Sequence, residues 1–136
     1  LEHSSVVPVP VGSSQGASER SLFRYAWGSD LQTAGLQFGV TVVADGSVWN
    51  TLPPHLHDRR TEVYLYVDLD EDERIFHFLG QPGATRHMVV ANRQAVISPP
   101  WSIHAGAGTS SYAFVWAMAG ENNDYTDLTP VALEDL

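Results

Sequence analysis

The stretch His55-Leu56-His57-Asp58-Arg59-Arg60-Thr61-Glu62-Val63-Tyr64-Leu65-Tyr66-Val67 carries two patterns in one line. Its second half alternates: Glu62, Tyr64 and Tyr66 share one face of an extended chain and Val63, Leu65 and Val67 the other, the period of a β-strand. Its first half sets two histidines one residue apart, so on a strand both imidazoles leave the same face at a spacing of roughly 7 Å. Two such rings can converge on one ion. Glu62 follows His57 by an odd number of residues, which on an unbroken strand would put it on the opposite face. A turn or bulge must therefore intervene, and Asp58-Arg59-Arg60 is the place for it.

Outward from this stretch, short apolar runs alternate with turn residues. Residues 36–43, 62–67, 75–79, 87–91, 94–97 and 112–117 have the length and the β-branched and aromatic content of strands. Between them lie Ala44-Asp45-Gly46, Gly80-Gln81-Pro82-Gly83, Asn92 and Ser98-Pro99-Pro100, each with turn chemistry. No helix longer than two turns is apparent. Many short strands punctuated by Gly and Pro predict an all-β fold, an antiparallel sandwich or barrel. Residues 1–20, rich in Ser, Val, Pro and Gly, read as an extended arm or linker, and residues 21–136 as the folded domain. Residues 68–73 (Asp-Leu-Asp-Glu-Asp-Glu) hold five acids among six positions. They lack the glycine and distal glutamate of an EF-hand loop and read as a solvated hairpin tip.

Composition narrows the chemistry. The chain has no cysteine, which excludes disulfides, thiolate metal sites and a cysteine nucleophile. All seven basic residues are arginine, so no lysine is present to form a Schiff base. Any carbonyl chemistry must then use a metal held by nitrogen and oxygen. A net charge of -9 without a basic stripe argues against nucleic acid as a partner. No apolar run approaches the roughly 18 residues of a membrane-spanning helix. With no basic start and no compact apolar stretch near residue 1, the expected compartment is the cytoplasm.

The fourth candidate ligand is His104, which closes Ser98-Pro99-Pro100-Trp101-Ser102-Ile103-His104. Three histidines and one carboxylate make an open site that suits zinc, iron, manganese or nickel, and the ligand types alone do not choose among them. A bare His-x-His is as readily a surface pair. The combination with Glu62 and a proline-led histidine some forty residues on is more specific. It resembles the two motifs of the cupin superfamily, Gly46 leading to His55-x-His57-x4-Glu62, and Pro99-x4-His104.

Further stretches carry a narrower resemblance: Trp49-Asn50-Thr51, Thr85-Arg86-His87, Gln94-Ala95-Val96-Ile97, and Met118-Ala119-Gly120-Glu121-Asn122. With the two motifs, they are similar to the 5-keto-4-deoxyuronate isomerase (4-deoxy-L-threo-5-hexosulose-uronate ketol-isomerase) family from about residue 21 to the C-terminus. That resemblance implies a cupin-type antiparallel β-barrel (jelly roll) binding one zinc ion through His55, His57, Glu62 and His104. It implies isomerisation of 5-dehydro-4-deoxy-D-glucuronate to 3-deoxy-D-glycero-2,5-hexodiulosonate in pectin breakdown, and a homo-oligomer. Family members carry two cupin halves, and this chain resembles the second, metal-bearing one.

For such a reaction the substrate carboxylate calls for an arginine, with Arg60 and Arg86 first because each sits beside a motif, and Arg59 and Arg93 behind them. A proton must also move between adjacent carbons. His87 is the preferred base, with His77 and Glu121 as the other choices. Tyr64 and Tyr66 are expected to point into the barrel, where a hydroxyl can orient substrate oxygens. Trp101, Phe114 and Trp116 read as core. Two other functions fit the same residues: a cupin metal dioxygenase, and a non-catalytic half-domain that binds a sugar acid.

Overall fold

The computed structural model describes residues 2–28, 31, 33–121 and 126–136. Its strands are β1 (Val9–Val11), β2 (Arg20–Ala26), β3 (Leu36–Val43), β4 (His55–His57), β5 (Arg60–Val67), β6 (Ile75–Gln81), β7 (Ala84–Val90), β8 (Ala95–Ser98), β9 (Ile103–Gly108), β10 (Ala113–Gly120) and β11 (Leu128–Pro130). The helical residues among those described are two single 3₁₀ turns, His3–Ser5 and Leu133–Asp135. Among the described residues no helix is long and apolar enough to cross a membrane. The strands form a six-stranded sheet, β1-β2-β3-β10-β5-β8, and a five-stranded sheet, β11-β4-β9-β6-β7. Every pairing is antiparallel. This is the all-β, cupin-type barrel that the sequence led us to expect.

The inner faces follow from alternation. Arg60, Glu62, Tyr64 and Tyr66 of β5 are buried, while Thr61, Val63, Leu65 and Val67 are not. Opposite them in register, Phe114, Trp116 and Met118 of β10 also turn inward. The core below the mouth of the barrel is Tyr64, Tyr66, Ile75, Val90, Val96, Tyr112 and Phe114. Tyr64 and Phe114 stack with ring centroids 5.0 Å apart, a pair worth about 0.5–1.5 kcal/mol beyond its buried area. Gly39 is required by close packing: a Cβ there would lie 2.3 Å from the Trp116 ring and 2.4 Å from the Phe23 carbonyl oxygen. The room it leaves lets the Trp116 indole donate to Thr41 Oγ1 at 3.1 Å.

Within the stretch read as an extended arm or linker, β1 pairs with β2 and places Val9, Pro10 and Val11 opposite Leu22, Ser21 and Arg20. The carbonyl of Ala17 also accepts from the amides of Val48 and Trp49. Two expectations need correction. The acidic stretch is not a hairpin tip, since β5 and β6 lie in different sheets and residues 68–73 carry the chain across. Leu69 anchors that crossing at 5% exposure, while Asp70, Glu71 and Asp72 face solvent. Trp101 is 56% exposed in the turn between β8 and β9 and belongs to no core.

Candidate metal centre

The odd spacing between His57 and Glu62 is explained by a change of sheet. β4 carries His55 and His57 in the five-stranded sheet, the chain bends at Asp58-Arg59, and β5 carries Glu62 in the six-stranded sheet. β9 brings His104 into register with His55. Three imidazoles from one sheet thus face one carboxylate from the other. One ligand atom from each of His55, His57, Glu62 and His104 lies within 4.8 Å of all the rest. His104 Nε2 is 2.9 Å and His57 Nε2 3.4 Å from Glu62 Oε2.

The outer nitrogen of each ring has a neighbour that fixes its direction. His55 Nδ1 lies 3.2 Å from the Pro53 carbonyl, which can only accept, so the proton sits on Nδ1 and Nε2 is free to bind a metal. His104 Nδ1 lies 3.4 Å from Ser98 Oγ, whose own hydrogen goes to the Ser102 carbonyl. Behind His57, buried Arg60 donates from Nε to Asp127 Oδ2 at 3.0 Å and from Nη1 to Gln37 Oε1 at 3.0 Å. Arg60 Nη2 pairs with Asp127 Oδ1 and lies 3.2 Å from His57 Nδ1; Asp127 Oδ1 is 3.6 Å from the same nitrogen. If His57 ligates through Nε2, its Nδ1 carries the proton and Asp127 becomes the acceptor.

Protonation agrees with a ligand set. Burial, and then the neighbouring His104, push His55 down to about 3, so its ring is neutral at physiological pH. Burial pushes the Glu62 carboxyl up, but His104 and His57 together outweigh it and hold the group below the usual carboxylate range. Buried Glu62 Oε2 and His104 Nε2 face each other and have no hydrogen-bond partner outside the cluster, so a bound cation can take up the lone pairs that converge there. The donor chemistry and these converging atoms fit a divalent metal.

Comparison with known proteins decides the family. The KduI/IolB family model matches residues 1–132. The chain belongs to that family. A 4-deoxy-L-threo-5-hexosulose-uronate ketol-isomerase of Halalkalibacterium halodurans is 52% identical over 130 residues, covering 96% of this chain and 47% of that protein. The KduI/IolB chain thus spans about half the length of the relatives it matches. Among solved structures, an IolB-like protein from Salmonella typhimurium superposes with a TM-score of 0.73 at 15% identity, over 93% of this chain and 51% of that one. An RmlC-like cupin from Shewanella frigidimarina gives 0.57 at 11% identity, over 91% of this chain and 92% of that one. These two likenesses support the cupin fold.

In this KduI/IolB barrel the metal-ligand cluster borders a cavity of about 290 Å³ that His55, Glu62, Tyr64, Arg20 and Arg24 help to line. Tyr64 is the one expected proton-handling or substrate-orienting residue found there, its hydroxyl 3.3 Å from Thr51 Oγ1. The others lie elsewhere. Arg60 is fixed behind His57 by Asp127 and Gln37. Arg86 is exposed and donates to the Thr85 carbonyl, and His87 is exposed on the same edge strand with its ring against Phe76. An edge strand at the end of its sheet keeps both out of the lumen. Glu121 is exposed just past β10, and Asn122 lies outside the described residues. Arg59 and Arg93 do not line the cavity.

His77 is buried beneath the cluster, its Nδ1 2.6 Å from the Tyr66 hydroxyl. Burial, and then His104, push its pKa down to about 3. Sequence reasoning missed Arg20 and Arg24, which β2 turns toward the cavity together with Leu22 while Phe23 and Tyr25 face away. It also missed Asp127, which follows the candidate ligands by more than twenty residues and whose role depends on the fold alone.

Proposed function

We propose that this chain is the metal-bearing half of a ketol isomerase that converts 5-dehydro-4-deoxy-D-glucuronate to 3-deoxy-D-glycero-2,5-hexodiulosonate. The observation that carries the proposal is the convergence of three imidazoles and one carboxylate beside a substrate-sized cavity, in a chain about half identical to proteins bearing that name. Zinc is the proposed ion. When bound, it supplies Lewis acidity to neighbouring carbonyl and hydroxyl oxygens.

The protein residues supply the rest. Ser98, Pro53 and Asp127 aim the ligating rings, which keeps the donor geometry in place before any substrate arrives. Phe114 and Trp116 wall the cavity with apolar surface and limit water around the reacting carbons. The titratable side chains lining the cavity are Arg20, Arg24, His55, Glu62 and Tyr64. Arginine stays protonated, and His55 and Glu62 belong to the cluster, so Tyr64 is the group left to hold or pass a proton at a substrate oxygen. A homo-oligomer, implied by the resemblance, is part of the same proposal and is read from the mass of the chain in solution.

The test is turnover by the zinc-loaded chain. The expected result is conversion of the keto-uronate without oxygen consumption, and loss of that conversion in His104→Ala. Oxygen consumption with iron bound would favour a dioxygenase. Uronate binding with no turnover, alone or with a supplied first half, would leave a sugar-acid-binding half-domain.

A further inference from the structure

β2 lies in the sheet opposite the three histidines, and it brings two guanidinium groups to the cavity that play no part in holding a metal. Arg24 is in register with Gly39, over which the Trp116 ring packs where a side chain would stand. Its guanidinium carbon sits 4.4 Å from the centre of the Trp27 ring, and its Nε is buried without a hydrogen bond. Arg20 donates to two neutral acceptors, the Ser18 carbonyl at 2.7 Å and the Leu52 carbonyl at 3.3 Å. Among the described residues neither arginine has an acidic partner.

The contrast with Arg60 is instructive, because Arg60 is neutralised by Asp127. In a chain of net charge -9, acids are plentiful, yet none is spent on the two cavity arginines. A cation removed from water costs free energy unless it is paired. The guanidinium fork matches a carboxylate in shape and charge. Leu22, Trp27 and Phe114 line the same cavity and offer apolar contact to the carbon chain of a bound acid.

We infer that Arg24, backed by Arg20, forms a carboxylate subsite that anchors the acid end of a sugar acid while its carbonyl end reaches the His55, His57, Glu62 and His104 cluster. The inference deepens the isomerase proposal and rests on it only for the carbonyl end. It replaces Arg60 and Arg86, which the fold keeps from the cavity.

The test follows the indole N–H signals of Trp27 and Trp116 by NMR while D-glucuronate or its neutral counterpart D-glucose is added to metal-free and zinc-loaded protein. Glucuronate is expected to bind at least about tenfold more tightly than glucose in both forms. Arg24→Gln is expected to abolish that preference, a loss of about 10- to 100-fold for a charge-assisted pair, with zinc content unchanged. Arg24→Lys keeps the charge without the fork and retains part of the preference. Should Arg24→Gln fail to fold, Arg24→Lys and Arg20→Gln carry the same comparison.

Equal binding of the two sugars would overturn the subsite. So would a preference that survives Arg24→Gln, or one confined to zinc-loaded protein, which would assign the carboxylate to the ion. The two proposals fail separately. An Arg24-dependent preference without isomerisation leaves the subsite and removes the isomerase reading. Isomerisation undiminished in Arg24→Gln does the reverse.

Discussion

The barrel buries histidine in two places and treats it differently in each. At the cavity, His55, His57 and His104 aim their rings at a common point shared with Glu62, and buried Glu62 Oε2 and His104 Nε2 have no hydrogen-bond partner outside the cluster. Deeper in, His77 is 0% exposed and its Nδ1 accepts from the Tyr66 hydroxyl, which in turn accepts from Asn50 Nδ2 at 3.0 Å. No carboxylate joins that inner group. Burial pushes the Tyr66 phenol upward, so it stays protonated and keeps donating. Gly106 makes room for the arrangement, since a Cβ there would fall 2.7 Å from Asn50 Nδ2. The same residue type is therefore used once to aim ring nitrogens at a buried carboxylate and once in a carboxylate-free chain that ends at His77 Nε2 and Asn50 Oδ1, both buried without a hydrogen bond. The first arrangement keeps a charge out of water until a ligand arrives, whereas the second holds none.

This difference is broken most sharply by Glu62→Gln. Removing the one carboxylate from the cluster is expected to weaken metal binding by more than the 10- to 100-fold typical of residues that only support a ligand. The metal-free protein should melt at most modestly lower, because the pairing with His104 and His57 that the amide forfeits is partly offset by relief of the carboxylate's burial. A large drop in melting temperature of the metal-free form would mean that the cluster is structural. Calorimetric metal titration and thermal melts on the same preparation read both quantities.

Tyr66→Phe should behave in the opposite way. It strips His77 Nδ1 and Asn50 Nδ2 of a buried partner, with an expected loss of about 1–3 kcal/mol in denaturant unfolding. Metal content should not change. Loss of metal in this variant would show that the inner network and the cluster act as one unit.

The last contrast is the acid response. His77 has a folded pKa of about 3, against about 6.5 when unfolded. The unfolded chain therefore takes up a proton between those values that the folded chain refuses. The stability contribution is complete above about pH 6.5 and is lost as pH falls toward 3, at about 1.4 kcal/mol per pH unit for this one group. In metal-free protein, His77→Gln should have a shallower fall in unfolding free energy between pH 6 and 4. An unchanged slope would show that His77 is protonated inside the barrel.

Much of this was legible in the sequence where local patterns and final structure coincide. β3 and β5 alternate cleanly, and three candidate ligands sit within eight residues, so strand period and ligand spacing suffice. β2 escaped because Arg20 and Arg24 face the cavity beside Leu22 while Phe23 and Tyr25 lie outside, where His3 and Phe38 pack on them. Alternation reads as hydrophobic-in only when no charged side chain is kept inside. β9 escaped because Ile103-His-Ala-Gly-Ala-Gly108 has little strand propensity, and its small residues answer to crowding by Asn50 and Tyr66 that only the fold creates. Arg86 is a candidate for its place beside a motif and His87 for its residue type next to Arg86, and neither ground says which strand becomes an edge.

The most direct test of the account is metal stoichiometry together with X-ray absorption at the zinc edge, on the reconstituted chain and on His104→Ala. The account predicts one zinc per chain, with imidazole scattering that falls in the variant along with affinity. Substoichiometric zinc, or a spectrum without imidazole contributions that is unchanged in His104→Ala, would contradict it.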